Sequence, residues 1–173
     1  MNNKINDYKR AAYHEAGHAV IAEYFGLPWN EICIGHSEDN INNGYIEGPA
    51  ENIECKRENI LIAATFYMAG RTAETEFYHD KKEEVSDEIA DAVASSSQDV
   101  KDFNKFYCQL EKESEEPLLG DCDDWQIKGS KEAVKILYQK DNKHKFEVLV
   151  EILLKKKKVG YENYKEILNQ GLQ

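Results

Sequence analysis

Nowhere does this 173-residue chain carry an unbroken apolar stretch near the roughly 20 residues that cross a bilayer, so no membrane span is expected. Met1 to Arg10 also lacks the apolar run of a signal peptide, and the two absences together predict a cytoplasmic chain. Cysteine is sparse. Cys33, Cys55, Cys108 and Cys122 are widely scattered and form no CxxC, which argues against a disulfide scaffold and against a cysteine-built zinc site. They read as free thiols, with Cys33 and Cys108 in apolar patterns that suit burial. Positive charge is in deficit, 22 Lys and Arg against 33 Asp and Glu, for a net charge of −11. Phosphate backbones are met by basic surfaces, so a nucleic-acid partner is not expected. The one basic run, Lys155 to Lys158, ends the apolar pattern Phe146, Leu149, Val150, Leu153, Leu154 and reads as a solvated helix C-terminus, where the dipole favours cations. Internal repeats and low-complexity segments are absent.

What is present is a chain with 41% hydrophobic content, long enough to bury one sizeable core, so residues 1–173 are expected to form a single domain. Its most informative run is His14-Glu15-Ala16-Gly17-His18. Tyr8, Ala12, Ala16, Ala19, Val20 and Ala22 recur around it at helical spacing, Asp7 reads as an N-cap, and Gly26 and Pro28 close the segment. A helix turns about 100° per residue, so His14 and His18 stand one above the other and both imidazoles can reach one zinc ion. Glu15 lies one position round the wheel, suited to hydrogen-bond a water there and serve as a general base. This is the arrangement of a zinc hydrolase. Gly17 costs a helix interior up to about 1 kcal/mol against Ala, which predicts that another backbone or a ligand approaches closely at that point. Two histidines on a half-buried face with ordinary hydrogen bonds are the plainer reading of the same run.

Further along, Trp29 to His36 and Gly44 to Glu47 read as two short strands joined by an Asn/Asp/Gly-rich turn. Residues 57–79 read as a second long helix, apolar on almost every side from Ile60 to Ala69 and therefore a core element. Its end, Gly70-Arg71-Thr72-Ala73-Glu74, brings charge into buried surroundings. Ile89, Ala92 and Val93 suit a short amphipathic helix, and Ser95 to Asp99 a loop entering another helix whose buried stripe is Val100, Phe103, Tyr107 and Leu110. Asp99 in that first turn has an ordinary capping or dipole role available to it. Residues 111–127 read as a long acidic loop, followed by helices near 129–140, 142–157 and 161–171.

A catalytic zinc takes three protein ligands and leaves one position open. Many acids, and His36, His79 or His144, are available as the third, and spacing alone does not choose. Four separated stretches in order, Ala12 to Val20 around the two histidines, the strand at Gly44-Tyr45, the helix with Ala69-Gly70-Arg71-Thr72-Ala73-Glu74, and Ser97-Gln98-Asp99-Val100, give the chain a likeness over most of its length. In these it resembles the zinc peptidase domain of the FtsH family of ATP-dependent proteases; Ala133, Ile136 and Leu137 preceding Leu149, Leu153 and Leu154 extend the likeness to the closing helices. The resemblance implies a mainly α (α+β) fold, a helical zincin-like metallopeptidase domain with a small two- or three-stranded sheet. It further implies Zn2+ held by His14, His18 and Asp99, Glu15 as the catalytic base, and Glu74 as an outer acceptor orienting a ligand histidine. Glu74 as the third ligand itself, or as the partner of Arg71 at helical spacing, stays open. The segment from Glu74 to Asp99 is longer and more acidic than the resemblance leads one to expect, and no P-loop, arginine finger or membrane anchor occurs in these residues.

The expected activity is zinc-assisted hydrolysis of peptide bonds in peptides or unfolded protein segments, independent of ATP in this chain. The substrate is expected to lie along a sheet edge near Ile32 to Ile34, held by main-chain hydrogen bonds. A homo-oligomer and a separate partner ATPase both remain open. Two other readings use the same ligands: a zinc-binding interaction or regulatory module with little proteolysis, against which an intact Glu15 argues, and a hydrolase of non-peptide amides.

Overall fold

The computed structural model describes residues 2–35, 44–75 and 98–171. Its elements run α1 (Asn2–Tyr24), β1 (Glu31–Ile34), β2 (Gly44–Glu47), α2 (Ile60–Ala73), α3 (Gln98–Glu113), α4 (Cys122–Leu137), α5 (Lys140–Lys156), β3 (Lys158–Gly160) and α6 (Tyr161–Gly171). The structure is mainly helical with one three-stranded antiparallel sheet of order β2-β1-β3. No described helix is long and apolar enough to cross a membrane. The expected short helix around Ile89 to Val93 lies outside the described residues, as do His36 and His79.

The first helix begins earlier than its sequence pattern predicts. Asp7 lies inside it rather than capping it, because Asn2 to Arg10 contains neither proline nor glycine to stop the helix upstream. Its other end is as expected. Gly26 adopts a left-handed φ of +67°, its N–H donates to the Glu23 carbonyl at 3.1 Å, and the Leu27 N–H donates to the Ala22 carbonyl at 2.8 Å. This pair of bonds is a Schellman stop, which satisfies carbonyls that the helix end would otherwise leave open.

Helix α2 is the central element, packed between α1 and α4, with α5 on another side of α1. A run with Ala63, Ala64, Phe66, Met68 and Ala69 all buried can only be stable when surrounded. The close approach predicted at Gly17 is present: a methyl group built there would lie 2.7 Å from Ala73 Cβ and 2.8 Å from the Ala69 carbonyl oxygen of α2. The α3 stripe Val100, Phe103, Tyr107 and Leu110 is buried as its periodicity predicts.

Three expectations need correction. Only about half of the acidic stretch 111–127 is loop: α3 runs to Glu113 and α4 starts at Cys122, leaving 114–121 between them. Asp121 caps α4, accepting the Asp124 N–H at 2.8 Å while its own N–H donates to the Asp124 carboxylate at 3.3 Å, and Asp123 and Asp124 complement the helix dipole. Acidic residues there start a helix rather than solvate a loop. Cys108 is exposed and Cys33 half-buried, since Cys108 follows Tyr107 and so turns about 100° away from the buried stripe. The lysine run is not all helix end. Lys157 takes a left-handed φ of 64° with its ammonium 3.9 Å from the centre of the Tyr8 ring, and Lys158 opens β3, pairing with Glu31 at 2.6 Å. β3 registers Val159 against Ile32 and Lys158 against Cys33, so β1 is the middle strand.

One acid joins the two ends of the chain. Glu23 near the end of α1 receives Lys145 of α5 at 2.9 Å, and from α6 Lys165 at 3.2 Å and the Tyr164 hydroxyl at 3.4 Å. Burial opposes ionisation of Glu23, but the two lysines outweigh it and hold its carboxyl below the usual range. A group with a depressed folded pKa stabilises the fold above its unfolded pKa, and that contribution is lost as pH falls through the folded value. Glu23→Gln is therefore expected to lower the unfolding free energy by about 1–2 kcal/mol at neutral pH, between the values for screened and buried pairs because both lysines are partly exposed. The difference from the wild type should shrink in acid, which urea unfolding at pH 7 and pH 3.5 would measure.

Candidate metal centre

His14 and His18 project from α1 toward α2, and their Nε2 atoms lie 3.1 Å apart. Asp99, in the first turn of α3, brings Oδ2 to 3.0 Å from His14 Nε2 and 3.4 Å from His18 Nε2. The other ring nitrogens are tied back. His14 Nδ1 is 2.6 Å from Glu74 Oε1, and His18 Nδ1 is 2.9 Å from the Phe66 carbonyl oxygen. A carboxylate and a carbonyl only accept, so each Nδ1 is the donor, and a neutral imidazole then presents a lone pair at Nε2. Two lone pairs and a carboxylate oxygen thus converge on one point. Three acceptors so close repel one another unless a positive charge lies among them, supplied by a proton or by a metal ion.

His14, His18 and Asp99 are accordingly the group among the described residues that could hold a metal ion, their ligand atoms all within 4.8 Å of one another. Without an ion, a proton takes that place. Burial works against a charged His14, but its hydrogen bonds to Asp99 and Glu74 and the charges of Glu15 and Asp99 hold its pKa well above the usual imidazole range. Burial would likewise favour a neutral Asp99, yet the two imidazoles hold it far below the usual carboxylate range. The His18 side chain is 4% exposed, against 21% for His14 and 25% for Asp99, so solvent reaches the latter two far more than His18.

Glu15 stands beside this group, 5% exposed, and its pKa is raised, chiefly by burial with the charges of Asp99 and Glu74 adding to it, while His14 and His18 oppose the shift. The start of β2 covers it: a methyl group on Gly44 would lie 2.5 Å from both Cγ and Oε1 of Glu15. Gly70 of α2 does the same for the imidazoles, where a methyl group would lie 2.5 Å from Nε2 of each. Past Gly70, α2 runs to Ala73, and the Glu74 N–H that follows donates back to the Gly70 and Arg71 carbonyls, closing the last turn. From this turn Glu74 reaches His14, and its second oxygen pairs with Arg10 Nε at 3.3 Å.

All five residues singled out from the sequence, His14, Glu15, His18, Glu74 and Asp99, therefore meet in one place. Glu74 lies on the Nδ1 side of His14, away from the point where the donors converge, and His144 is exposed on α5 outside the group. The substrate edge expected at Ile32 to Ile34 is not available, because β3 pairs with that side of β1; the outer strand next to Glu15 is β2. The Phe66 carbonyl, Gly70 and Arg10 were not assigned site roles from the sequence. The carbonyl leaves no sequence signal at all, whereas Gly70 inside an apolar helix and Arg10 one turn before His14 are each visible as patterns. No family model matches the chain, and no match is found among the curated proteins.

Proposed function

We propose that this chain is a zinc-dependent metallopeptidase of the FtsH-like type, cleaving peptide bonds in unfolded or flexible polypeptide segments without ATP hydrolysis of its own. The observation that carries the reading is the convergence of His14 Nε2, His18 Nε2 and Asp99 Oδ2 with both Nδ1 atoms anchored as donors. Ligands of a tetrahedral ion with bonds of about 2.0–2.1 Å stand about 3.3 Å apart, and the three separations here are 3.1, 3.0 and 3.4 Å. An oxygen and two imidazole nitrogens suit zinc in a catalytic rather than a structural site. Bound zinc supplies Lewis acidity, polarising a carbonyl and making water more acidic.

The chain's own residues do the rest. Glu15 Oε accepts a proton from the attacking water and delivers it to the departing amine as the C–N bond breaks, so that hydroxyl ends on the carbonyl carbon and hydrogen on nitrogen. His18 and Glu15 are buried, so bulk water has little access to either side chain. An extended peptide adding to the outer edge of β2 passes Gly44 and hence Glu15, and main-chain pairing gives affinity with weak sequence preference.

The test is degradation of a reduced, carboxymethylated protein by the purified chain, with zinc removed by chelation and then restored. Cleavage should vanish and return. In parallel, Asp99→Ala should lose stoichiometric zinc, whereas Glu74→Ala should keep it at saturation with affinity lowered about 10–100-fold. A chain that binds zinc through these residues but cleaves no unfolded polypeptide is a binding module, and the peptidase reading fails.

A further inference from the structure

We propose that Arg10 is a positioning residue for this centre, acting through Glu74 on His14; the inference rests on the reading of His14 as a metal ligand. The Glu74 carboxylate is held at both ends. Oε1 accepts the His14 Nδ1–H at 2.6 Å, and Oε2 lies 3.3 Å from Arg10 Nε. Arg10 and His14 are one turn apart on α1, so cation, carboxylate and imidazole close a ring of contacts between α1 and the last turn of α2. The Glu74 side chain is 18% exposed and that of Arg10 34%, so water competes only partly for this pairing.

A carboxylate gripped by both oxygens keeps its orientation, and its negative charge favours the His14 tautomer with the proton on Nδ1 and makes Nε2 the better electron-pair donor. The role also predicts a sign that simple electrostatics opposes. A guanidinium near a divalent cation repels it, and deleting it for that reason alone would tighten binding. Acting through Glu74, its deletion weakens binding instead.

The measurement is zinc affinity by competition with a chromophoric chelator. Arg10→Ala should bind about tenfold more weakly than the wild type, and Arg10→Lys should recover most of the loss. In a Glu74→Gln background, Arg10→Ala should change affinity by less than about twofold, since the connecting carboxylate is already gone. In the zinc-loaded protein the His14 Nδ1–H should give a slowly exchanging NMR signal that exchanges faster in Arg10→Ala. Arg10→Gln, which keeps the aliphatic stem, serves if the alanine variant frays α1. Affinity in Arg10→Ala equal to or tighter than wild type, or an undiminished loss in the Glu74→Gln background, overturns the role. If the affinities follow the expected order while no polypeptide is cleaved, the peptidase reading fails and the positioning role stands. A wild-type chain that binds no zinc overturns both.

Discussion

Glu15→Gln should lower peptide cleavage by about 10²- to 10⁴-fold, the usual range for removing a general base, while zinc content stays at the wild-type level. Both halves of the result follow from where Glu15 sits. It is not among the three groups whose donor atoms converge, so it contributes no ligand. Its side chain is buried under Gly44, and glutamine has the same shape, so the start of β2 need not move. What glutamine lacks is a site that can take up a proton. Single-turnover cleavage of a fluorogenic unstructured peptide, with metal analysis of the same preparation, separates the two effects. Loss of zinc in Glu15→Gln, or cleavage within a few-fold of wild type, would contradict the role assigned here.

The second large effect is expected from a residue with no side chain. In Gly70→Ala the added methyl group would lie 2.5 Å from Nε2 of both His14 and His18, closer than carbon and nitrogen approach without bonding. Neither imidazole has an easy retreat: Nδ1 of one is fixed to Glu74 and Nδ1 of the other to the Phe66 carbonyl. Relief must come from displacing the rings or shifting α2, which α1 and α4 hold on both sides. The substitution should therefore reduce zinc affinity and peptide cleavage together by on the order of 100-fold or more, with a loss of fold stability of about 1–3 kcal/mol from overpacking. Gly70→Ala that binds zinc as tightly as the wild type would show that the imidazoles do not hold the positions described.

Which of these features were legible beforehand depends on how local they are. The pair His14 and His18 is set by four residues of helix, and the α3 stripe from Val100 to Leu110 by simple periodicity, so both can be read from the chain. Bringing Asp99 and Glu74 to the same point required a resemblance, because nothing in spacing relates α3 to the end of α2. Strand β3 was hidden for a different reason. Three residues beginning in a lysine run carry no alternation, and they become a strand only because β1 offers them an edge. The acidic loop was expected too long because Asp at a helix start and Asp in solvent look alike until Asp121 and Asp124 are seen exchanging hydrogen bonds. Main-chain groups such as the Phe66 carbonyl are common to every residue type and leave no trace in sequence.

The donor atoms come from distant parts of the chain: two imidazoles on the first long helix and one carboxylate on another helix far downstream. An ion seated between them would be a clasp as well as a reagent, fastening α3 against α1 through bonds stronger than the hydrogen bonds it would replace. On the proposed reading, metal occupancy and the docking of α3 would be coupled, so that stripping the ion would loosen this face of the protein as well as remove the Lewis acid.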